Sequence, residues 1–93
     1  MQIGFIGLGK MGLNMVFNLK DHNHDVVAYN RSAGPVQEII KQGVNGVFTI
    51  EELMHKLPTR KVVWIMVKAG SAVDMIVEQL LPYLEQGDVI IDG

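Results

Sequence analysis

The run Gly7-Leu8-Gly9-Lys10-Met11-Gly12 follows directly on an apolar stretch, Gln2-Ile3-Gly4-Phe5-Ile6, a few residues from the N-terminus. Beyond it the period changes: Gly12, Met15, Val16 and Leu19 fall at i, i+3, i+4 and i+7, one stripe of a helix. Strand, tight glycine turn and helix in that order open a βαβ unit whose turn suits a pyrophosphate. Each glycine meets a different demand. Gly7 permits the sharp exit from the strand, Gly9 lets backbone approach the phosphates, and Gly12 allows close helix–strand packing. The helix N-terminus adds free N–H groups and a partial positive charge. GxGxxG alone is a weak signal, so its weight depends on the rest of the chain.

The remaining residues repeat the alternation. Asp21 to Asp25 form a polar turn, and Val26-Val27-Ala28-Tyr29 reads as a second strand. Ser32 to Pro35 start a helix carrying Val36, Ile39 and Ile40, with Gly43 at its C-terminal stop. Val47-Phe48 is a short third strand; Thr49-Ile50-Glu51-Glu52 has the capping-box form of a short helix that Pro58 ends. Lys61 to Val67 is a strong fourth strand, rich in β-branched and aromatic residues. Ser71 is the expected N-cap of a fourth helix marked by Val73, Ile76, Val77 and Leu80, closing around Pro82 to Leu84; Asp88 to Ile91 is a fifth strand. The expected fold is α/β: a Rossmann-type doubly wound parallel sheet of about five strands in the order 3-2-1-4-5. Its ligand belongs at the carboxyl ends of the strands, beside the switch point between strands 1 and 4.

Composition narrows the functional classes. The 93 residues are 48% hydrophobic and 19% charged, ordinary for one small globular domain and unlike a disordered chain. A net charge of −2 without Lys/Arg runs offers no field for nucleic acid. There is no cysteine, which excludes a disulfide framework and a cysteine zinc site. The longest apolar run, Val62 to Val67, is far short of the roughly 18 residues of a membrane span, and no signal-peptide pattern opens the chain. A cytoplasmic domain is the expectation.

The end of strand 2 discriminates between cofactors. NAD-type sites carry an Asp or Glu there for the ribose 2′-hydroxyl; this chain has Asn30-Arg31-Ser32. A carboxylate would repel a 2′-phosphate, whereas amide, guanidinium and hydroxyl donors suit one, so NADP is the expected cofactor. The competing reading is a solvated turn with Arg31 in water. Lys68-Ala69-Gly70 falls at the switch point after strand 4, where small residues let backbone approach the nicotinamide half; Lys68 is either a contact or a surface lysine. Lys10 and His55 read as exposed, Trp64 as core, and the methionines as packing filler. His22 and His24 belong to a polar turn rather than a metal site. No Ser–His–Asp set, paired carboxylates or zinc spacing emerges.

With these motifs in place, the sequence resembles the β-hydroxyacid dehydrogenase superfamily. Gly7 to Met15 with Asn18-Leu19 is similar to its N-terminal signature. Tyr29-Asn30-Arg31-Ser32, Val67-Lys68-Ala69-Gly70-Ser71-Ala72-Val73-Asp74 and Gly87 to Gly93 resemble the decarboxylating 6-phosphogluconate dehydrogenases within it. The resemblance implies oxidation of 6-phosphogluconate at carbon 3 by hydride transfer to NADP, then decarboxylation to ribulose 5-phosphate. It also implies that Gly7, Leu8, Gly9, Lys10, Met11 and Gly12 hold the pyrophosphate. By the same resemblance Asn30, Arg31 and Ser32 take the 2′-phosphate, and Val67, Lys68 and Ala69 line the cofactor toward the nicotinamide.

In that family the Asp92-Gly93 run continues into Gly-Asn-Ser, and the catalytic residues and dimer contacts come from a later helical domain. The expectation is therefore residues 1–93 as the N-terminal part of an NADP-binding domain, inactive alone, from an enzyme that is a homodimer. Two alternatives stay open: a hydroxyisobutyrate-type dehydrogenase, and a stand-alone dinucleotide-binding module. The fifth strand would leave a bare apolar edge, which invites pairing between chains.

Overall fold

The computed structural model describes residues 2–58, 60–67 and 71–92. The strands are β1 (Gln2–Ile6), β2 (Asp25–Tyr29), β3 (Asn45–Val47), β4 (Val62–Ile65) and β5 (Val89–Asp92). Between them lie α1 (Lys10–Asp21), α2 (Ala33–Lys41), α3 (Ile50–Lys56) and α4 (Ser71–Leu80). All pairings are parallel, and the sheet order is β3-β2-β1-β4-β5. The expected topology and alternation are those observed.

Two apolar clusters, one on each face, hold the sheet between helices. Phe5, Val26 and Ala28 pack with Val16 of α1 and Val36 and Ile39 of α2. Ile6, Val27, Val63 and Ile65 pack with Ile50, Leu53 and Met54 of α3 and Leu80 of α4. Successive strand residues point to opposite faces, so β1 and β2 must be apolar throughout to serve both clusters. Trp64 joins the α1 face and stacks on Phe5 at 6.3 Å between ring centroids, as a packing residue should.

The helix ends are set by local chemistry. In α2, Gly43 takes φ +85 while its N–H donates to Ile40 O and that of Val44 to Ile39 O, a Schellman stop. Asn23 plays the same part after α1 at φ 65, with its N–H on Lys20 O and that of His24 on Leu19 O. The expected polar turn of residues 21–25 is thus narrower, a helix stop over residues 22–24, with Asp21 ending α1 and Asp25 opening β2. Thr49 caps α3 by accepting the Glu52 N–H at 3.1 Å, as the capping box requires.

Strand limits differ from expectation in four of the strands, the first being β2, which begins at Asp25 rather than Val26 because Asp25 pairs with Gln2 of β1. β3 is Asn45–Val47 rather than Val47-Phe48, because its register on β2 pairs Asn45 with Val27 and Val47 with Tyr29; Phe48 is past the ladder and 48% exposed. β4 is Val62–Ile65 rather than 61–67, since its partner β1 ends at Ile6, where Gly7 turns the chain. β5 begins at Val89 because Asp88 is occupied in a turn. Helix α4 ends at Leu80, and Leu81–Tyr83 continue as one 3-10 turn.

The Asp88 turn clamps the start of β5 to β4. Its carboxylate accepts the Lys61 N–H at 2.7 Å and the Glu85 N–H at 2.8 Å. The buried Lys61 ammonium lies 4.0 Å from Asp88 and 3.9 Å from Glu85. The Glu85 N–H does most to hold the Asp88 carboxyl below the usual carboxylate range; burial opposes it, and the Lys61 N–H and charge add to the lowering. A carboxyl lowered in the fold contributes stability above its unfolded value and loses it as pH falls through the folded one. Asp88→Asn is therefore expected to melt at lower temperature than the parent chain at neutral pH. Thermal melts from pH 7 downward should show that gap closing below about pH 4; a gap independent of pH would remove the carboxylate's role.

Candidate functional site

The carboxyl ends of β1, β2 and β4 converge beside the switch point, and the glycine run occupies the gap. Gly7 has φ +105, and a Cβ there would overlap the Met66 carbonyl oxygen at the end of β4. Its N–H donates to Tyr29 O of β2 at 3.0 Å, so this one residue joins three strand ends. Gly12 lies in the first turn of α1, where a Cβ would overlap the Gly7 carbonyl oxygen. Gly9, the N-cap of α1 at φ −67, faces open space: a Cβ there meets nothing within 4 Å. Gly7 turns the chain sharply out of β1 and Gly12 lets the helix pack closely, as their spacing suggests, and Gly9 is left with open space over it.

That open space carries positive potential. Gly9 has no side chain with which to cap α1, and no acidic residue stands in the first turn. The N–H groups of the first turn have no partner within the helix and carry its positive dipole end. Lys10 is exposed beside them, as expected.

A cavity of about 410 Å³ opens next to the loop. It is lined by Ile6 and Gly7 from β1, Tyr29, Asn30 and Arg31 from β2 and its following turn, Val67, and Met75, Ile76 and Gln79 of α4. Four sequence-designated residues, Gly7, Asn30, Arg31 and Val67, therefore share one wall. Arg31 is exposed, and so is Ser32, which follows it in the chain but is not part of the lining. Lys68, Ala69 and Gly70 fall outside the described residues.

Asn30 is engaged within the protein. Its Oδ1 accepts the Leu8 N–H at 2.8 Å and its Nδ2 donates to Ser32 O at 3.1 Å. Leu8 is only 2% exposed, with its side chain in the α1-side cluster, so its side chain and N–H both face the protein rather than the cavity. Ser32 occupies the N-cap of α2 without a side-chain cap bond. The α4 residues of the wall were not legible as site residues. Their signal is the spacing of Met75 and Gln79, one turn apart on the helix that follows the switch point. Met75 is 59% exposed and Met11, in the first turn of α1, 69%, so neither is the packing filler that methionine content suggests; Met54, 2% exposed, is.

Residues 2–93 match a family model described as the NAD binding domain of 6-phosphogluconate dehydrogenase. The chain belongs to that family. Among curated relatives, the decarboxylating 6-phosphogluconate dehydrogenase of Haemophilus influenzae is 47% identical over 96 aligned residues, covering 98% of this chain and 20% of the relative. The NADP(+)-dependent enzyme of Bacillus subtilis is 41% identical over 96 residues, covering 99% of this chain and 20% of the relative. The solved 6-phosphogluconate dehydrogenase of Plasmodium falciparum, described in apo form and with its cofactor NADP+ or its substrate, superposes with a TM-score of 0.91. It is 36% identical and covers 100% of this chain and 21% of its own length. The chain thus spans about one fifth of the length of these 6-phosphogluconate dehydrogenases.

The glycine geometry separates a position packed against backbone from one that faces open space. Gly12→Ala sets a methyl against backbone and is expected to cost about 3 kcal/mol or more, lowering Tm by roughly 10–20 °C. Gly9→Ala should stay within about 1 kcal/mol of the parent, since its φ suits any residue and the space is open. Denaturant unfolding of the two variants checks this; equal losses would mean that Gly12 does not set the α1 approach.

Proposed function

We propose that this chain is the NADP-binding portion of a decarboxylating 6-phosphogluconate dehydrogenase. The carrying observation is the cavity at the switch point, bounded by the glycine loop and by an Asn-Arg-Ser turn with no carboxylate at the tip of β2. Family membership supports the same reading.

The residues fit a dinucleotide diphosphate on structural grounds. Open space lies over Gly9, and the uncapped N-terminus of α1 supplies N–H donors to phosphate oxygens. In this reading Arg31, exposed in the cavity wall, holds the 2′-phosphate through a forked pair of charge-assisted hydrogen bonds, and the neighbouring Ser32 offers a hydroxyl. Ile76 and Val67 offer apolar surface for the adenosine, and Gln79 an amide for its polar edge. Lys68 and Ala69 are assigned to the nicotinamide side by the family resemblance alone. When bound, NADP supplies the hydride acceptor for oxidation of 6-phosphogluconate, whose decarboxylation gives ribulose 5-phosphate. The substrate site and homodimer contacts belong to the longer enzyme of which the relatives give the length, so these 93 residues bind the cofactor without turning substrate over.

Calorimetric titration of the chain is expected to show tighter binding of NADP than of NAD. Arg31→Ala should weaken NADP by roughly 10- to 100-fold, the value of a charged hydrogen bond, and leave NAD nearly unchanged. Equal or tighter NAD binding by the parent chain would overturn the cofactor assignment, and turnover of 6-phosphogluconate by the chain alone would overturn the division of labour.

A further inference from the structure

The side chain of Asn30 makes two hydrogen bonds of opposite sense to two different backbone segments. Its oxygen takes the N–H of Leu8 in the glycine loop at 2.8 Å; its nitrogen gives to the carbonyl of Ser32, in the turn after β2, at 3.1 Å. The two partners fix the amide's orientation, because a flip would set NH₂ against an N–H and oxygen against a carbonyl. The amide supplies both roles at once, whereas an ionised Asp accepts without donating. The residue is half-buried in the cavity wall, whereas Arg31, also in the wall, and the following Ser32 are exposed.

We propose that Asn30 is a positioning residue that couples two anion subsites, the diphosphate cradle at Gly9 and the 2′-phosphate turn at Arg31–Ser32. The inference rests on the nucleotide reading above and assigns Asn30 a role other than direct phosphate contact. By tying Leu8 to Ser32, its amide holds the turn at a set distance from the loop, so one dinucleotide meets both subsites without ordering either on arrival. The Gly7 N–H on Tyr29 O, at 3.0 Å, anchors the loop to the last residue of β2, directly before Asn30, so the Asn30 bonds extend an existing connection outward. This arrangement also accounts for an amide where NAD-type sites carry a carboxylate. Asp would keep the Leu8 bond, set a lone pair against the Ser32 carbonyl and place negative charge beside the 2′-phosphate.

The test uses two probes that each touch one subsite: inorganic pyrophosphate for the glycine loop and adenosine 2′-monophosphate for the turn. Both are titrated into the 93-residue chain and followed by amide chemical shifts, with the Leu8 amide as a local reporter. Asn30→Ala removes both ties and is expected to weaken both probes by roughly three- to tenfold. Asn30→Asp retains the Leu8 acceptor; it should leave pyrophosphate within about twofold, its added charge being screened at physiological salt, while weakening adenosine 2′-monophosphate at least as much as Ala does. An Asn30→Ala chain that loses only adenosine 2′-monophosphate would make Asn30 a direct phosphate ligand and overturn the proposal, as would one that loses neither. If Asn30→Ala fails to fold, the Asp variant decides alone: pyrophosphate lost with adenosine 2′-monophosphate kept would overturn it. A parent chain that binds neither probe would instead sink the nucleotide reading itself, and the coupling with it.

Discussion

The arrangement at the carboxyl ends of the strands depends on how closely helix α1 can approach the strand that precedes it. The approach is set where the first turn of the helix meets the carbonyl of Gly7, a contact that leaves no room for a side chain on Gly12. Because Gly7 also bonds to the end of β2 and packs on the end of β4, the helix is brought to the sheet and the three strand ends to one another by the same few atoms. Protein interiors tolerate little change of volume at such points. The cavity beside the loop exists because the strand order reverses there and α4 starts on the far side of the gap from α1.

The site built on that contact separates support from contact. Glycines 7 and 12 face the protein, Gly9 faces outward, and Leu8 faces inward through both its side chain and its N–H. Asn30 lines the cavity but turns its amide to the backbone on either side, leaving Arg31 and Ser32 as the exposed polar groups of the turn. The groups held most firmly are those that shape the cavity; the groups with charge to offer stand at its edge.

Much of this was legible in the sequence because the signals are local. The glycine spacing, the capping box at Thr49 and the stop at Gly43 each rest on interactions spanning a few residues, and the alternation of periods carries the topology. What was missed depends on partners distant in the chain. β3 contains Asn45 and Gly46, poor strand formers, and is a strand because β2 offers it a ladder, while the apolar Phe48 beyond the register is not. The Asp88 clamp joins residues 27 apart, and the Asn30 bridge to Leu8 joins residues 22 apart. Neither separation leaves a periodic trace. Composition misled once, at the methionines, because residue type does not report which face of a helix a residue occupies.

That placement of methionines has a chemical corollary. Met11 and Met75 present thioethers to solvent at the first turn of α1 and along the cavity wall, while Met54 is enclosed in the core. Peroxide converts an accessible thioether into a polar, chiral sulfoxide and reaches a buried one only when the chain opens. Among the described methionines, mild oxidation therefore falls first on Met11 and Met75, the two most exposed, ahead of the half-buried Met15 and Met66 and the enclosed Met54.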